Sequence, residues 1–241
     1  MNRWPDFGLV AFLLFCFAAF ARIYLAFIPG LWADEIFSLA MATGHSLEHP
    51  ATDARPTTGD YIEPPLDQSA ESFKKYLRHE SPPAGAKRVI RAVILSDTNP
   101  PLYYLLLNIW TRLTGTSDAA LRLFSAMWAL ACFPLIWFVG IRVGGKKMAF
   151  ITCILFSLSP PALYYSAEGR MYSLIWFIGL ALVWSSLTLT HSGAKPHKIL
   201  LWSIIAAAGL LTHYFFVFVV TANIIWLTGS SYCASLVYPH T

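Results

Sequence analysis

Five apolar runs leave this chain few environments in which it can fold. They lie at Phe7–Ile28, Ala119–Ile141, Met148–Leu163, Met171–Leu189 and Ile199–Leu227. A helix needs about 20 predominantly apolar residues to cross the hydrocarbon core of a bilayer. Lipid offers no partner for an exposed peptide group, so a helix that bonds its own backbone is the natural spanning form. Of the 241 residues, 56% are hydrophobic and only 12% charged, too few charges to cover a soluble domain of this size. The expectation is an all-α polytopic membrane protein. The formal net charge of +4 forms no basic footprint for nucleic acid. Cys16, Cys132 and Cys153 lie inside apolar runs and Cys233 near the end. None has metal-ligand spacing, so all four read as small apolar fillers.

The first run is about 22 residues long. Ala19-Phe20-Ala21 imitates a signal-peptidase site, but the run continues to Ile28, which favours a retained anchor. Arg22, near its outer end, is expected to snorkel or to face a cavity. The last run is interrupted by Thr212-His213-Tyr214 and reads as a hairpin of two short spans in preference to one tilted helix. Basic residues set the orientation. Arg3, the trio Arg142, Lys146 and Lys147, and the pair Lys195 and Lys198 mark cytoplasmic loops. Alternation then places residues 29–118 and the Tyr164–Arg170 turn outside; Arg112 and Arg122 oppose this and are outvoted.

The 29–118 segment is a large extracytoplasmic loop with short juxtamembrane helices. Asp34–Met41 and Gly85–Leu95 are expected to be helical, and Glu48–Pro65 is turn-rich and irregular. Pro101–Gly115 carries Leu102, Leu105, Leu106, Ile109, Trp110 and Leu113 at helical spacing. Its apolar run is too short to span and ends in Arg112, so it reads as an amphipathic helix on the outer membrane surface.

Four polar clusters map to that outer side. They are Trp32-Ala33-Asp34-Glu35, Asp97-Thr98-Asn99-Pro100-Pro101-Leu102-Tyr103-Tyr104, Tyr164–Tyr172 with Glu168 and Arg170, and Thr212-His213-Tyr214. Each has a plain structural reading. Asp34 can cap the next helix, Pro101 can start one, Glu168 and Arg170 can form a weak exposed pair, and His213 can be a packing residue. Together they suggest one water-accessible pocket. Transfer from a lipid-linked substrate to an external acceptor needs a carboxylate to take a proton, which Asp34 or Glu35 can supply. It also needs cationic groups on a phosphate leaving group, a part for Arg170 with His213 or Arg122.

The succession Asp-Glu, Asn-Pro-Pro-Leu-Tyr-Tyr, Tyr-Tyr-Ser-x-Glu-x-Arg-Met-Tyr and Thr-His-Tyr resembles bacterial glycosyltransferase family 39. That family belongs to the GT-C membrane superfamily, with protein O-mannosyltransferases and lipid A aminoarabinose transferases. The similarity runs from about Leu9 to Leu227. It implies one GT-C-like catalytic domain over residues 1–241, with the outer loop inside it. It also implies transfer of a sugar from a polyprenyl-phosphate donor to an envelope acceptor (lipopolysaccharide or lipid A, glycan or protein), with inversion. The reaction would take place on the periplasmic face of the bacterial inner membrane.

By that resemblance Asp34 is the base with Glu35 beside it. Substrate contacts fall on Asp97, Asn99, Tyr103, Tyr104, Arg122, Glu168, Arg170, Tyr172 and His213. No protein-bound cofactor follows, although Asp34, Asp97 and Glu168 are a conceivable set for a divalent metal. Two departures stand out: Asn99 replaces a His common in relatives, and the chain stops at Thr241, earlier than they do, so an incomplete domain is expected. The alternatives are a transporter or flippase-like protein for a lipid-linked molecule, and a non-catalytic truncated relative. A transporter would place ionisable groups at mid-span, whereas here they gather at the outer ends.

Overall fold

The computed structural model describes residues 7–48, 55, 57, 59–62, 69–192 and 195–237. Among these the chain is all α: α1 (Phe7–Ala26), α2 (Ala33–Thr43), α3 (Ala70–Phe73, continued by a 3-10 turn at Lys74–Leu77), α4 (Ala86–Ser96), α5 (Leu102–Thr114), α6 (Asp118–Leu158), α7 (Pro160–Ser166), α8 (Tyr172–Ser192), α9 (Pro196–Leu210) and α10 (Phe216–Val237). Three of them, α1, α6 and α8, are long and apolar enough to cross a membrane, and α9 and α10 are shorter apolar helices. Most of the Glu48–Pro65 segment, and the side chain of Cys233, lie outside what is described.

A straight helix of the 41 residues of α6 would reach about 60 Å at 1.5 Å per residue, twice the hydrocarbon thickness. The chain instead reverses at Gly144 (φ −145°) and Gly145 (φ 76°). The arms before and after this turn touch so closely that a Cβ on Gly140 would lie 2.5 Å from the Ala149 Cα. Two spans therefore replace one, as the two sequence runs imply, with Arg142, Lys146 and Lys147 at the turn.

The second arm ends at Leu158, five residues short of the expected Leu163, because Ser159 before Pro160 is extended (φ −62°, ψ 121°). A residue preceding proline is driven out of the α region, and Pro160 lacks the N–H that the Phe156 carbonyl would have received. Arg22 fills that vacancy: Nη2 donates to the Phe156 carbonyl at 3.0 Å, Nε to Ser166 Oγ at 3.0 Å and Nη1 to the Ala18 carbonyl at 3.2 Å. It is fully buried, with its guanidinium 5.2 Å from the Phe156 ring centre. The expectation that Arg22 would snorkel or line a cavity is corrected, since it satisfies the broken helix from inside.

α8 is the central helix and packs on α6, α7, α9 and α10. Trp202 Nε1 donates to Ser186 Oγ (2.8 Å), which donates to Asn223 Oδ1 (2.9 Å), joining α9, α8 and α10. Residues 211–215 separate α9 from α10, so the last apolar run is a hairpin.

The loop helices do not stand apart. Leu39 of α2, Val93 of α4, Tyr104 of α5, Leu121 of α6, Met171 and Phe216 belong to one buried cluster. α5 turns Tyr103, Tyr104, Leu107, Asn108 and Thr111 inward and leaves Ile109 and Leu113 exposed. Its apolar stripe is thus split between the protein and the outside.

Candidate active site

The alternation of helices brings the four polar clusters to one end of the bundle and the basic turns to the other. Two structural ties define that end. The Leu102 N–H donates to the Leu211 carbonyl at 3.0 Å, joining the start of α5 to the end of α9. The Gly30 N–H donates to Asp118 at 2.9 Å, joining the exit of α1 to the start of α6.

At the first turn of α2 the two acidic residues have opposite fates. Glu35 is completely buried. Its carboxylate accepts from Arg122 Nε (2.8 Å) and Nη2 (2.6 Å), from the Gly169 N–H (2.8 Å) and from the Trp32 N–H (3.3 Å). Arg122 spends its other donors on the Gly30 carbonyl (2.7 Å) and the Ile28 carbonyl. A buried, bidentate and fully bonded pair of this kind fixes geometry. It joins the end of α1, the start of α2, the side of α6 and the 167–171 turn. Glu35, expected beside the base, and Arg122, expected at the substrate, are bonded to each other. Gly169 is required here, because a Cβ would sit 2.5 Å from Leu121 Cγ.

Asp34 keeps a partly exposed carboxylate, 44% accessible, facing the second arginine. Arg170 is almost buried, yet its partners are loose. Nη2 lies 3.9 Å from Asp34 and Nη1 3.8 Å from Asp97, both beyond hydrogen-bond length. Nη1 reaches Ser38 Oγ at 3.3 Å, and Nε has no partner among the described residues. Ser38 escaped the sequence reading, although its place four residues after Asp34 puts both on one helical face. Ser125 also escaped it; its Oγ donates to the Arg170 carbonyl at 3.2 Å.

Asp97 is held in place by Asn99, whose N–H (3.1 Å) and Nδ2 (3.0 Å) both donate to Oδ1, while the Tyr104 hydroxyl donates to Oδ2. Asn99 therefore orients Asp97. Tyr103 and Tyr104 are fully buried, and burial holds both phenols above their ordinary range. Glu168, 5% exposed, is pushed up to about 7 by burial, with the charges of Glu35 and Asp34 adding and Arg170 opposing. Its Oε2 has no partner among the described residues. His213 sits in the α9–α10 turn, where burial first and then Arg170 lower its basicity while Asp97 raises it. Its Nδ1 accepts from the Phe215 N–H at 3.2 Å. Tyr172 is half-buried, with its ring centre 4.7 Å from that of Tyr165.

Residues 98–241 match the family described as dolichyl-phosphate-mannose-protein mannosyltransferase. The chain belongs to this family. The match takes in Asn99, Tyr103, Tyr104, Arg122, Glu168, Arg170, Tyr172 and His213 and leaves Asp34, Glu35 and Asp97 upstream of it. Comparison with curated proteins and with solved structures gave no match. Membership makes the chain a membrane glycosyltransferase of the kind that uses lipid-linked sugar donors.

Two cavities suit a mannosyltransferase-family member of this kind. One of about 610 Å³ lies beside Asp97, Asn99, Pro101, Leu211 and Tyr214. The other, about 640 Å³, is an apolar groove between the second arm of α6, α7, α8 and α10, lined by Phe156, Pro161, Trp176, Val183 and Val219 among others. Among the described residues no three His, Cys, Asp or Glu side chains converge as a metal site needs. Arg170 stands within ion-pairing distance of both Asp34 and Asp97, where a divalent ion would have to sit, so these carboxylates do not fit one.

Proposed function

We propose that this chain transfers a sugar from a polyprenyl-phosphate donor to a hydroxyl group of an envelope acceptor, lipopolysaccharide, glycan or protein, on the periplasmic face of a bacterial inner membrane. Asp34 takes the proton of the acceptor hydroxyl as its oxygen attacks the anomeric carbon. The bond from that carbon to the phosphate oxygen breaks, the electron pair leaves with the polyprenyl phosphate, and the sugar configuration inverts. Arg170 meets the charge that grows on the phosphate, and the protonated form of Glu168, whose carboxyl burial pushes up to about 7, offers its proton as a further hydrogen bond. The prenyl chain lies in the apolar groove. The basic turns at Arg142–Lys147 and Lys195–Lys198, at the end of the bundle away from Asp34, support the orientation.

The observation that carries this reading is Arg170. A guanidinium almost out of water normally fills its five donors, as Arg122 nearly does. Arg170 instead has an unpartnered Nε and two carboxylates held just beyond bonding distance, an arrangement suited to receiving a phosphate. The test uses the full chain in lipid with a polyprenyl-phosphate sugar and a panel of envelope acceptors. Asp34→Asn should lose transfer by 10²-fold or more, about the value of a general base, while donor binding persists. Equal transfer by the variant removes Asp34 from the mechanism.

A further inference from the structure

The outer loop encloses a third cavity, of about 490 Å³, at the far end of α2 from Asp34. The volume is within the range of small-molecule sites, about 300–1,000 Å³. Nine residues of helix rise, about 14 Å, separate Asp34 from Thr43 at the end of α2, and His45 at the cavity follows its C-cap Gly44, so this space is distinct from the surroundings of Arg170.

Its walls divide by chemistry. One side is aromatic: Tyr61 lies 5.7 Å from Phe73 and 5.4 Å from Tyr76, and Tyr76 lies 5.9 Å from His45, ring centre to ring centre. The other side holds two charged pairs. Arg88 Nη2 donates to Glu80 Oε1 at 2.8 Å, with Nη1 on Oε2, and His45 Nε2 lies 3.3 Å from Oε1. Arg91 donates to both oxygens of Asp60 at 2.7 Å, and the Arg55 N–H reaches Asp60 at 2.7 Å. Gly59 (φ 76°) lies against this wall so tightly that a Cβ would be 2.1 Å from Arg88 Nη2, 2.7 Å from the His45 ring and 2.9 Å from Glu80 Oε1. Only glycine lets the backbone approach there.

We infer that this cavity is a saccharide-binding subsite that holds the acceptor glycan, an assignment that rests on the transferase reading above. A sugar has an apolar C–H face and a rim of hydroxyl groups, and the two walls offer aromatic surface for the one and fixed carboxylate and guanidinium groups for the other. The charges are arranged against other ligands. The Arg88 and Arg91 guanidiniums already face carboxylates, so a polyphosphate would meet the accessible Glu80 carboxylate as well as Lys75, whose ammonium lies 4.9 Å from the Tyr76 ring centre. An apolar ligand would strip water from the accessible Glu80 carboxylate without replacing its hydrogen bonds. Glu80 keeps 45% of its side chain accessible and can accept from sugar hydroxyl groups while paired.

Saturation-transfer NMR tests the subsite without turnover. The full chain in nanodiscs is mixed with glucose, mannose, galactose and N-acetylglucosamine and with a β-1,4-linked disaccharide of the last. The expected result is saturation transfer to the ring protons of at least one of these sugars. It should fall fivefold or more in Phe73→Ala and in Tyr76→Leu and stay within twofold of wild type in Asp34→Asn. Phe73 is 36% exposed, so its truncation reports on the site even where Tyr76→Leu fails to fold. No transfer of saturation to any of the sugars, or transfer that Phe73→Ala leaves unchanged, overturns the subsite. Saccharide binding here in a chain that glycosylates nothing would overturn the transferase reading instead.

Discussion

Changing Glu35 to Gln is the perturbation that best separates a reacting carboxylate from a holding one. In the folded chain Glu35 is 1% accessible at its side chain and Arg122 11%, and four donors converge on the two carboxylate oxygens. Glutamine keeps one acceptor oxygen and presents an NH₂ group in place of the other. Whichever way the amide turns, that NH₂ faces a backbone N–H and an Arg122 donor, and the guanidinium loses its counter-charge. Removing one partner of a buried pair costs about 3–5 kcal/mol. At about 1.4 kcal/mol per tenfold, the folded-to-unfolded ratio drops by about 10²-fold to 10³-fold or more.

Reversible unfolding of the purified chain in bicelles, followed by circular dichroism, reads that loss directly. Arg122→Gln should destabilise to a similar degree, and the double variant should lose much less than the sum of the two. Asp34→Asn should cost under about 1 kcal/mol, because its carboxylate is half exposed and its ion pair long. A Glu35→Gln chain as stable as wild type but unable to transfer sugar would refute the reasoning and return Glu35 to the role of base.

Four further outcomes follow. Arg170→Lys keeps the charge but loses the planar fork, and should raise the KM for the polyprenyl-phosphate donor by about 10-fold to 100-fold, the worth of one charge-assisted hydrogen bond; an unchanged KM would dissociate Arg170 from the phosphate. Glu168 titrates about 7 when folded and from 4.5 in its unperturbed state, so the folded chain binds the extra proton between those values and stability should fall as pH rises through that window; a chemical-denaturation series from pH 4.5 to 8 should show the slope in wild type and lose it in Glu168→Gln. Arg22→Met leaves the Phe156 carbonyl and Ser166 without their donor and should cost about 1–3 kcal/mol in the same unfolding assay. Gly169→Ala should lower both stability and transfer by forcing Leu121 aside, and Leu121→Ala in the same chain should restore part of both, which a strain confined to the glycine backbone would not allow.

The helices were legible because their signals are local. Run length gives α1 and α8, the basic stretch with Arg142, Lys146 and Lys147 divides α6, and Thr212-His213-Tyr214 interrupts α9 and α10. The early end of the second α6 arm was present in the sequence as Ser159-Pro160-Pro161 and was outweighed by hydrophobicity. The fate of Arg22 was not legible, since two of its three acceptors belong to Phe156 and Ser166, more than 130 positions away. The site was legible as a set of residue types at one end of the bundle and illegible as a division of labour. Asp34 and Glu35 are neighbours of like chemistry, and the 100° turn between them on a helix sends one to the surface of the pocket and the other into the core. Asn99 was expected to contact substrate, and the tie of its backbone N–H and its amide Nδ2 to Asp97, two residues earlier, could not be read from residue type.

The two arginines carry the same lesson into mechanism. Arg122 and Arg170 are chemically identical, and only the count of acceptors around each tells scaffold from binding group. The two are also mechanically connected. Glu35, which neutralises Arg122, accepts the N–H of Gly169, the residue directly before Arg170, while the Arg170 carbonyl accepts from Ser125 on α6. The guanidinium of Arg170 is therefore carried on a turn whose position is fixed from both sides by buried bonds. On the proposed reading its donors are held in place before any phosphate arrives, which is the preorganisation that makes an electrostatic contact effective in a transition state. A loosened Glu35–Arg122 clamp should accordingly reduce kcat even in a chain that still folds and still binds donor, because what it disturbs is the aim of Arg170 and not its charge.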